Sequence, residues 1–422
     1  MATDKMDCYQ SCSGAQVLSN PIILKNVLSC IPMKSLQKCA RVCRLWALEV
    51  EKIKKTRHGM VWHYFKCPES EQGTDLDSLV KEMEAFIENL YIEPHVSFIM
   101  CSTNLHEEKI EHQRSRNARS ARRRTARNKT ENLNVNSFLV KLLPSKCNVT
   151  AITADGIVGT SSDMRVTEEM EGKRCLSLVV FSQFNNIRIQ SIYYDQDEGN
   201  KIANCWSSRT DFNNIDKRVS DDEQVKGIIF LSDEAFCPQE IGFSLYKIYK
   251  CPMIAGGFVD NVVCPSSWFN DNSRDSPFLC CMAFCGRVQV ASVVLKDDVK
   301  TTEGVDRIIK KLKDSKLPEK NSIGLMFACV GRGENHYGEI NVESTVFRKY
   351  FPNTPLVGFF GNGEVGFEYP HVKPADVQNC SAKDEDGRSN HKFVQEQSSY
   401  IASHPPKMYH AYTTIMSLFS FQ

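Results

Sequence analysis

Apolar positions near the start of the chain recur at helical spacing. The first such row, which fits the i, i+3, i+4, i+7 rule for one helical face, comprises Leu24, Val27, Leu28 and Ile31. Pro32 follows it directly and ends the helix. A second short helix is predicted around Leu36 and Ala40, and a third around residues 42–50. Residues 1–18 are polar and show no periodicity, so we predict a disordered tail there.

Three short helices within residues 19–64 cannot bury their apolar side chains among themselves. We therefore expect this segment to pack on the rest of the chain or on a partner protein. The side chains that would be a liability if left in water are those of Leu24, Leu28, Ile31, Leu36 and Trp46.

A second pattern repeats further along the chain. Residues 138–159, 243–261 and 346–366 each run from an amphipathic helical stretch through a polar or proline-containing break. Each then has a short apolar strand and ends in a glycine turn. Repetition of a helix–strand–Gly-turn unit indicates duplication inside a large mixed α/β domain. Together with the N-terminal helices, this predicts an α+β protein.

Other elements follow from local pattern. The predicted strands are Leu176–Phe181, Gly227–Leu231, Val288–Leu295 and Ser322–Cys329, and a final strand is predicted within residues 408–421. Thr302–Lys313 is predicted as a helix because its apolar residues share one side. The polar stretch 370–407 is predicted to be a long mobile insertion.

A basic segment interrupts this pattern. Residues 113–130 carry eight basic side chains and no acidic one, which predicts a disordered, solvated loop. The functional alternatives are a nuclear import signal and a nucleic-acid contact. Import is favoured because no aromatic residues are interleaved for base stacking. The import candidates are Arg122, Arg123, Arg124 and Arg127.

Charge, apolar runs and cysteine spacing indicate which classes of protein the chain does not resemble. The chain has 422 residues and a formal net charge of +1, so no overall field favours nucleic acid or a membrane surface. Its N-terminus lacks an export signal, and no apolar run approaches the ~20 residues that span a bilayer. The 18 cysteines include no C-x-x-C pair. We therefore expect thiols in a reducing compartment and no metal site.

The glycines Gly361, Gly363 and Gly366 match the spacing of a dinucleotide-binding loop. That loop needs a helix directly after it to hold the pyrophosphate. Here Pro370 and Pro374 follow, so we predict no cofactor. Gly361-Asn362-Gly363 lies between two apolar runs, which predicts a hairpin turn instead.

A second glycine-rich stretch spans residues 329–338 and follows a predicted strand. Its backbone amides could form an anion nest beside Arg332, and Arg332 could activate the Cys329 thiol. The alternative is a small buried thiol. A carboxylate in the turn, Glu364, could bind a polar ligand or be a solvated turn residue. The binding candidates are Cys329, Arg332, Gly333, Asn362 and Glu364; no catalytic constellation is found.

Residues 19–64 resemble an F-box. The resemblance lies in an early Pro21, the Leu/Ile face, Ile31-Pro32, Leu36, and a Cys-Arg-Leu-Trp ending similar to the usual C-R-x-W. Asn20-Pro21-Ile22-Ile23 departs from the common Leu-Pro-acidic start. By resemblance, the residues that bind the adaptor are Pro21, Leu24, Leu28, Ile31, Pro32, Leu36, Val42, Cys43 and Trp46.

Roughly residues 93–422 resemble a FIST domain, through PMIAGGFVDN, IGLMFACVGRG and PLVGFFGNGEVG. The predicted organisation is an F-box at 19–64, a linker helix at 65–92, an N-terminal FIST part at 93–235 and a C-terminal FIST part at 236–422. The N-terminal part contains the basic loop, and the C-terminal part contains the insertion.

The resemblance implies a non-catalytic substrate receptor of a Skp-cullin-F-box (SCF) ubiquitin ligase. Its partners would be a Skp-type adaptor, the cullin-RING core and protein substrates, with no direct nucleic acid and no membrane. It also suggests nuclear substrates, including histone lysine demethylases and transcription regulators, a location in cytoplasm and nucleus, and proteasomal degradation. The alternative is a small-molecule-sensing module that uses the glycine-rich FIST loops.

Overall fold

The computed structural model describes residues 18–67, 69–70, 73–113, 130–208, 218–219, 223–233, 235–250, 252–263, 277–370 and 406–422. Its first elements confirm the predicted helices: α1 (Pro21–Ser29), α2 (Met33–Cys39) and α3 (Arg44–Thr56). The side chain of Asn20 accepts a hydrogen bond from the backbone N–H of Ile22 (3.0 Å), and Pro21 fills the first helical turn. These two residues fix where α1 begins.

The rest of the described chain forms three repeat units. The elements of the first unit are β1 (Met60–Lys66), β2 (Glu69–Ser70), β3 (Gly73–Thr74), α4 (Leu76–Glu88), β4 (Val96–Ser102), α5 (Thr103–His106), β5 (Lys109–Gln113), β6 (Thr130–Asn134), α6 (Val135–Leu142), β7 (Asn148–Ala154), β8 (Gly156–Thr160), β9 (Thr167–Glu171) and β10 (Cys175–Phe181).

The second and third units follow without a long connection. The second comprises β11 (Ile187–Tyr194), α7 (Gln196–Ser208), β12 (Val225–Ser232), α8 (Pro238–Ile248), β13 (Met253–Phe258), β14 (Asn261–Val263) and β15 (Leu279–Gly286). The third comprises β16 (Val288–Leu295), α9 (Thr302–Asp314), β17 (Ser322–Cys329), α10 (Glu334–Tyr337), α11 (Val342–Tyr350), β18 (Leu356–Gly361), β19 (Glu364–Gly366), β20 (Tyr409–His410) and β21 (Thr414–Phe421).

The units share one topology, which confirms the predicted repeat and the α+β class. The sheet orders are β1-β10-β4-β7-β14, β11-β15-β12-β13-β19-β20 and β16-β21-β17-β18-β8-β9. In each unit the helix-connected pair β4–β7, β12–β13 or β17–β18 is parallel. Each unit then contributes to a neighbouring sheet: β8 and β9 join the third sheet, β14 the first, and β19 and β20 the second. The three sheets therefore form a closed cycle of exchanged strands.

This exchange corrects the predicted hairpin at Gly361-Asn362-Gly363. The turn exists, but β18 pairs in the third sheet and β19 pairs in the second. The chain crosses between sheets close to the backbone of β13, and a Cβ added at Gly361 would lie 2.0 Å from the carbonyl oxygen of Phe258. Glycine is required there because the two backbones approach so closely. The corresponding turns after β7 and β13 also lead from one sheet to another.

The boundaries inside the chain also differ from those predicted. The range 65–92 is not a linker helix, because β1 pairs with β10 from residue 60 onward and α4 packs on that sheet. The division between residues 235 and 236 falls inside the second unit, between β12 and α8. Only residues 57–59 separate α3 from β1.

Two layers of apolar packing hold the body together. The inner faces of the three sheets meet in one central cluster, where Phe98, Phe284 and Phe419 come from different units. The rings of Phe284 and Phe419 lie 4.7 Å apart. Outside, helices cover each sheet, as where Ile309 and Phe347 pack with Met326 in the third unit. Burial from both sides explains why these strands are almost wholly apolar.

Three predicted segments lie largely or wholly outside the described residues. They are the N-terminal tail 1–18, the basic segment 113–130 with its four arginine candidates, and the insertion 370–407. At the base of the basic segment, Gln113 of β5 pairs with Thr130 of β6.

Candidate functional site

The predicted adaptor-binding residues divide into an inner and an outer group. Leu24, Leu28 and Leu36 are at most 1% exposed and pack inside the helical cluster with Val50 and Ile53. Their prediction as a docking face is therefore wrong, because α1, α2 and α3 bury these leucines against each other. Ile31, Pro32 and Trp46 are half-buried, whereas Pro21, Val42 and Cys43 are exposed.

A different apolar set faces solvent, and we call it the F-box surface. It comprises Ile22 (72% exposed), Ile23 (38%), Val27 (47%), Val42 (62%) and Leu48 (54%). On α1, Ile23 and Val27 form an i, i+4 row beside the buried row of Leu24 and Leu28. The sequence contained this signal, because two such rows alternate along one helix, but it did not show which row faces inward.

Cys329 ends β17, and its backbone N–H donates to the carbonyl oxygen of Thr413 (3.0 Å). Its side chain is 7% exposed. Burial raises the pKa of the thiol, and the nearby carboxylate of Glu364 raises it further. Activation by Arg332, one of the two alternatives that the sequence left open, is therefore excluded, and the other alternative, a small buried thiol, is the state observed. His336 contacts the carbonyl oxygen of Val299 (2.9 Å) through Nε2.

Arg332 is fully buried, and its N–H groups donate to acceptors inside the protein. Its Nε donates to Oε1 of Glu343 (2.7 Å), with neither side chain exposed. Its Nη1 donates to the carbonyl oxygens of Lys296 (3.0 Å) and Tyr412 (3.2 Å). The guanidinium thus ties three segments of the third unit together, and it is not the ligand-binding cation that the sequence predicted.

The carboxylate of Glu364 also lies in the interior, at 1% exposure, so a solvated turn residue is excluded. It accepts hydrogen bonds from the backbone N–H (3.1 Å) and hydroxyl (2.6 Å) of Thr413. Burial raises the pKa of Glu364 to about 7. Asn362 is the exposed member of this turn, and its backbone N–H donates to the carbonyl oxygen of Phe258 (3.2 Å). The turn therefore joins β13 to the C-terminal strand.

Gly333 is buried and has φ +71°, which favours glycine. A Cβ there would meet Oε1 of Glu171 at 1.6 Å. The neighbouring N–H of Glu334 donates to the same Glu171 oxygen (3.2 Å). The predicted amide nest thus receives a carboxylate from β9 of the first unit, and this ties the loop after β17 to the edge strand of the same sheet.

A cavity opens beside that contact, where the first and third sheets meet. It has a volume of about 260 Å³ and is lined by Thr103, Asn104, Asp155, Gly156, Glu171, Gly172, Val330 and Phe360. Burial raises the pKa of both Asp155 and Glu171, and Asp260 adds to the effect at Asp155. The sequence did not reveal this cavity, because the β8–β9 pair, which brings Asp155 and Glu171 together, meets Val330 and Phe360 of the third unit only through strand exchange.

Within the described ranges, no group of three or more His, Cys, Asp or Glu side chains is arranged to hold a metal ion. In the same ranges, no helix combines the length and apolar character that crossing a membrane requires.

The comparisons with known proteins agree with this architecture. A profile of the FIST C domain matches residues 280–367, which run from β15 to β19. F-box only protein 22 of Homo sapiens is 29% identical, with 98% of each chain covered. The Pongo abelii protein of the same name gives the same identity and coverage. Residues 280–367 are thus similar to the FIST C domain, and the chain resembles F-box only protein 22 along almost its whole length.

Among solved structures, a chorismatase aligns with 86% of this chain and 98% of its own, at 6% identity and a TM-score of 0.23. That overlap is too low to support any inference.

Proposed function

We propose that this chain is the substrate-recognition subunit of an SCF ubiquitin ligase. Helices α1 to α3 bind a Skp-type adaptor, which connects the chain to the cullin-RING core, and the three-unit body binds a protein substrate. The similarity to F-box only protein 22 supports the first role. The observation that carries the proposal is the F-box surface, whose five apolar side chains remain exposed although the helical cluster beneath them is closed.

The energetics of that surface favour a protein partner. Burying one such side chain contributes roughly 1.5–3 kcal/mol, so a few of them suffice to anchor a complex. Exposed apolar side chains grouped on one small domain mark interaction sites. Ile22, Val42 and Leu48 would act as anchors, and the half-buried Trp46 would complete the contact.

The mechanism requires no catalytic residue in this chain. Tethering the substrate beside the charged conjugating enzyme raises the local concentration of its lysines to around the millimolar scale. The expected outcome is ubiquitination and proteasomal degradation of the bound protein. We further propose nuclear regulators, such as histone lysine demethylases and transcription factors, as substrates, and a location in both cytoplasm and nucleus.

Affinity capture from cells with the proteasome blocked tests the proposal. The wild-type chain should recover the adaptor and a cullin. Ile22→Glu and Val42→Glu should lose both, because a charge would be buried at the contact. Ile340→Glu is the matched control, since Ile340 is 64% exposed but lies on the body. Retention of the cullin by the Ile22→Glu/Val42→Glu double variant would exclude the F-box surface as the docking site.

The cavity between the first and third sheets favours small-molecule sensing as a second candidate function. Its carboxylates, Asp155 and Glu171, accept hydrogen bonds and favour a ligand with a protonated amine or similar donor group. The intact chain should then gain thermal stability with some member of an amine-containing metabolite panel. Asp155→Asn/Glu171→Gln should abolish the gain, whereas Asp163→Asn, at an exposed turn, should preserve it. If no compound in the panel raises the melting temperature, that result would count against this candidate function.

A further inference from the structure

The three F-box helices are joined to the body by a reciprocal contact between two side chains. Arg57 immediately follows α3, and its guanidinium donates to the carbonyl oxygens of Leu28 (3.3 Å) and Ser29 (2.9 Å) at the end of α1. The same guanidinium donates to the carbonyl oxygen of Tyr91 (3.1 Å), which belongs to the body. One side chain therefore links the ends of two F-box helices to the segment that follows α4.

Tyr91 in turn contacts both the end of α1 and Arg57. Its hydroxyl donates to the carbonyl oxygen of Cys30 (2.7 Å), just beyond α1, and its ring lies 5.2 Å from the guanidinium carbon of Arg57. The planar guanidinium can stack on an aromatic ring while its N–H groups donate in plane, which an ammonium group cannot do. Each partner thus touches both α1 and the other partner. We call this pair the clasp.

The residues on either side of Tyr91 are buried in the body, and this fixes the position of the clasp. Leu90 and Ile92 are 5% and 6% exposed and pack in the outer core of the first unit, so Tyr91 between them faces the F-box. The backbone N–H of Met33 donates to the carbonyl oxygen of Leu90 (2.7 Å), and Lys54 pairs with Glu93 (3.2 Å). Beyond Arg57 only two residues precede β1, and the backbone N–H of Gly59 donates to Ser182 Oγ (2.8 Å). No flexible linker separates the two parts.

We propose that Arg57 and Tyr91 are positioning residues that hold the F-box at one fixed angle to the body. This inference rests on the proposed ligase function, in which the distance between the bound adaptor and the substrate site sets which lysines are modified. Of the other polar contacts across the seam, the Met33–Leu90 backbone bond ties α2 and Lys54–Glu93 ties α3, whereas Lys34 with Glu88 is exposed and contributes little. Without the clasp, α1 would lose its tie to the body, and the F-box would tilt about residues 57–59 and the remaining Met33–Leu90 bond.

Distance distributions in the full chain test the clasp directly. Click-reactive amino acids at Lys25 on α1 and Lys310 on α9, both exposed, carry a donor and an acceptor dye. The wild-type chain should give one narrow distribution. Arg57→Ala and Tyr91→Ala should broaden it, whereas Tyr91→Phe, which keeps the ring, should restore most of the narrow distribution. Melting temperature and adaptor affinity are measured alongside and should stay near the wild-type values.

Self-ubiquitination in a reconstituted complex supplies the functional readout, with the chain's own lysines as the probe. Wild type should modify a restricted set of lysines, and the clasp variants should modify a wider set. Unchanged distances and an unchanged lysine set in Arg57→Ala/Tyr91→Ala would overturn the inference. If the wild-type chain does not bind the adaptor, the ligase proposal fails, and the dye distances in the free chain still decide whether the clasp holds the two parts together.

Discussion

Arg332 and Glu343 form an ion pair in which Nε and Oε1 lie 2.7 Å apart and neither side chain is exposed to solvent. Glu343 also accepts a hydrogen bond from the hydroxyl of Tyr337 (2.7 Å). Arg332, which the sequence offered as a ligand-binding residue, therefore has its charge paired inside the protein, in the loop that follows β17. A buried pair of this kind holds its surroundings in place because either charge alone would be costly.

Arg332→Ala should therefore destabilise the chain by about 3–5 kcal/mol, because it leaves Glu343 charged and unpaired in the interior. Lys349→Ala is the control, since Lys349 pairs with Asp306 at 2.6 Å but is 63% exposed, and it should cost less than ~1 kcal/mol. Denaturant unfolding followed by tryptophan fluorescence measures both. Equal losses in the two variants would contradict a structural role for the buried pair.

Glu169 on β9 should make stability depend on pH. Its Oε1 accepts from the backbone N–H of Ser344 (2.6 Å), and burial together with the charges of Glu343 and Glu171 raises its pKa from 4.5 to about 7. The folded state therefore binds the proton more tightly than the unfolded state. The stabilisation is complete below pH 4.5 and is lost as pH rises from there through about 7.

Glu169→Gln should reduce that loss of stability by on the order of 3 kcal/mol, because glutamine stays neutral and still accepts from Ser344. Melting temperatures across this pH window measure the effect. Part of the slope should remain, because burial also raises the pKa of Glu364 to about 7. A wild-type slope in Glu169→Gln would show that Glu169 does not carry the linkage.

Leu28 and Val27 are neighbours on α1 with opposite environments, at 1% and 47% exposure. Leu28→Ala should destabilise the F-box helices by about 2–5 kcal/mol, because it leaves a cavity in their core. Val27→Ala should change stability by no more than ~0.5 kcal/mol, yet weaken adaptor binding. Hydrogen exchange of α1 and a titration with purified adaptor separate the effects. A stability loss in Val27→Ala as large as in Leu28→Ala would reverse the assignment of the two faces.

Gly361 should tolerate no side chain, because a Cβ would collide with the backbone of Phe258 at 2.0 Å. Gly361→Ala should cost several kcal/mol or prevent folding, since backbone cannot move aside as a flexible side chain can. At Gly338 the φ of +72° is strained for alanine, but nothing lies within 4 Å, so Gly338→Ala should cost only ~1 kcal/mol. Thermal unfolding ranks the two, and a milder loss at Gly361 would refute the close approach of β18 to β13.

Local pattern was enough to place several of the regular elements. Val288–Leu295 and Ser322–Cys329 were predicted with their observed bounds, and the helix predicted at Thr302–Lys313 ends one residue later. These segments are long and strongly patterned, so neighbouring residues along the chain specify them. Met60–Lys66 was missed as a strand because its aromatic residues continue directly from a helical segment and its partner, β10, is more than 100 residues away.

The candidate site depended on contacts that no local pattern encodes. Leu24 and Ile23 have similar chemistry, and only the packing of α3 decides which one is buried. Arg332 is neutralised by a glutamate eleven residues further along, across α10. Glu171 and Val330 line one cavity because β9 joins a sheet built mainly by the third unit. Sequence reasoning thus found the residue types but not their partners.

Because β8, β14 and β19 are exchanged in a cycle, no repeat unit forms a complete sheet from its own strands. A fragment covering residues 280–367 alone would lack β21, which lies between β16 and β17, and would expose the full length of both strands. A substitution that disrupts one exchanged strand should therefore destabilise all three sheets. The body should unfold in a single transition rather than unit by unit. For the proposed receptor role, this means that a substrate surface on the body would be present either whole or not at all.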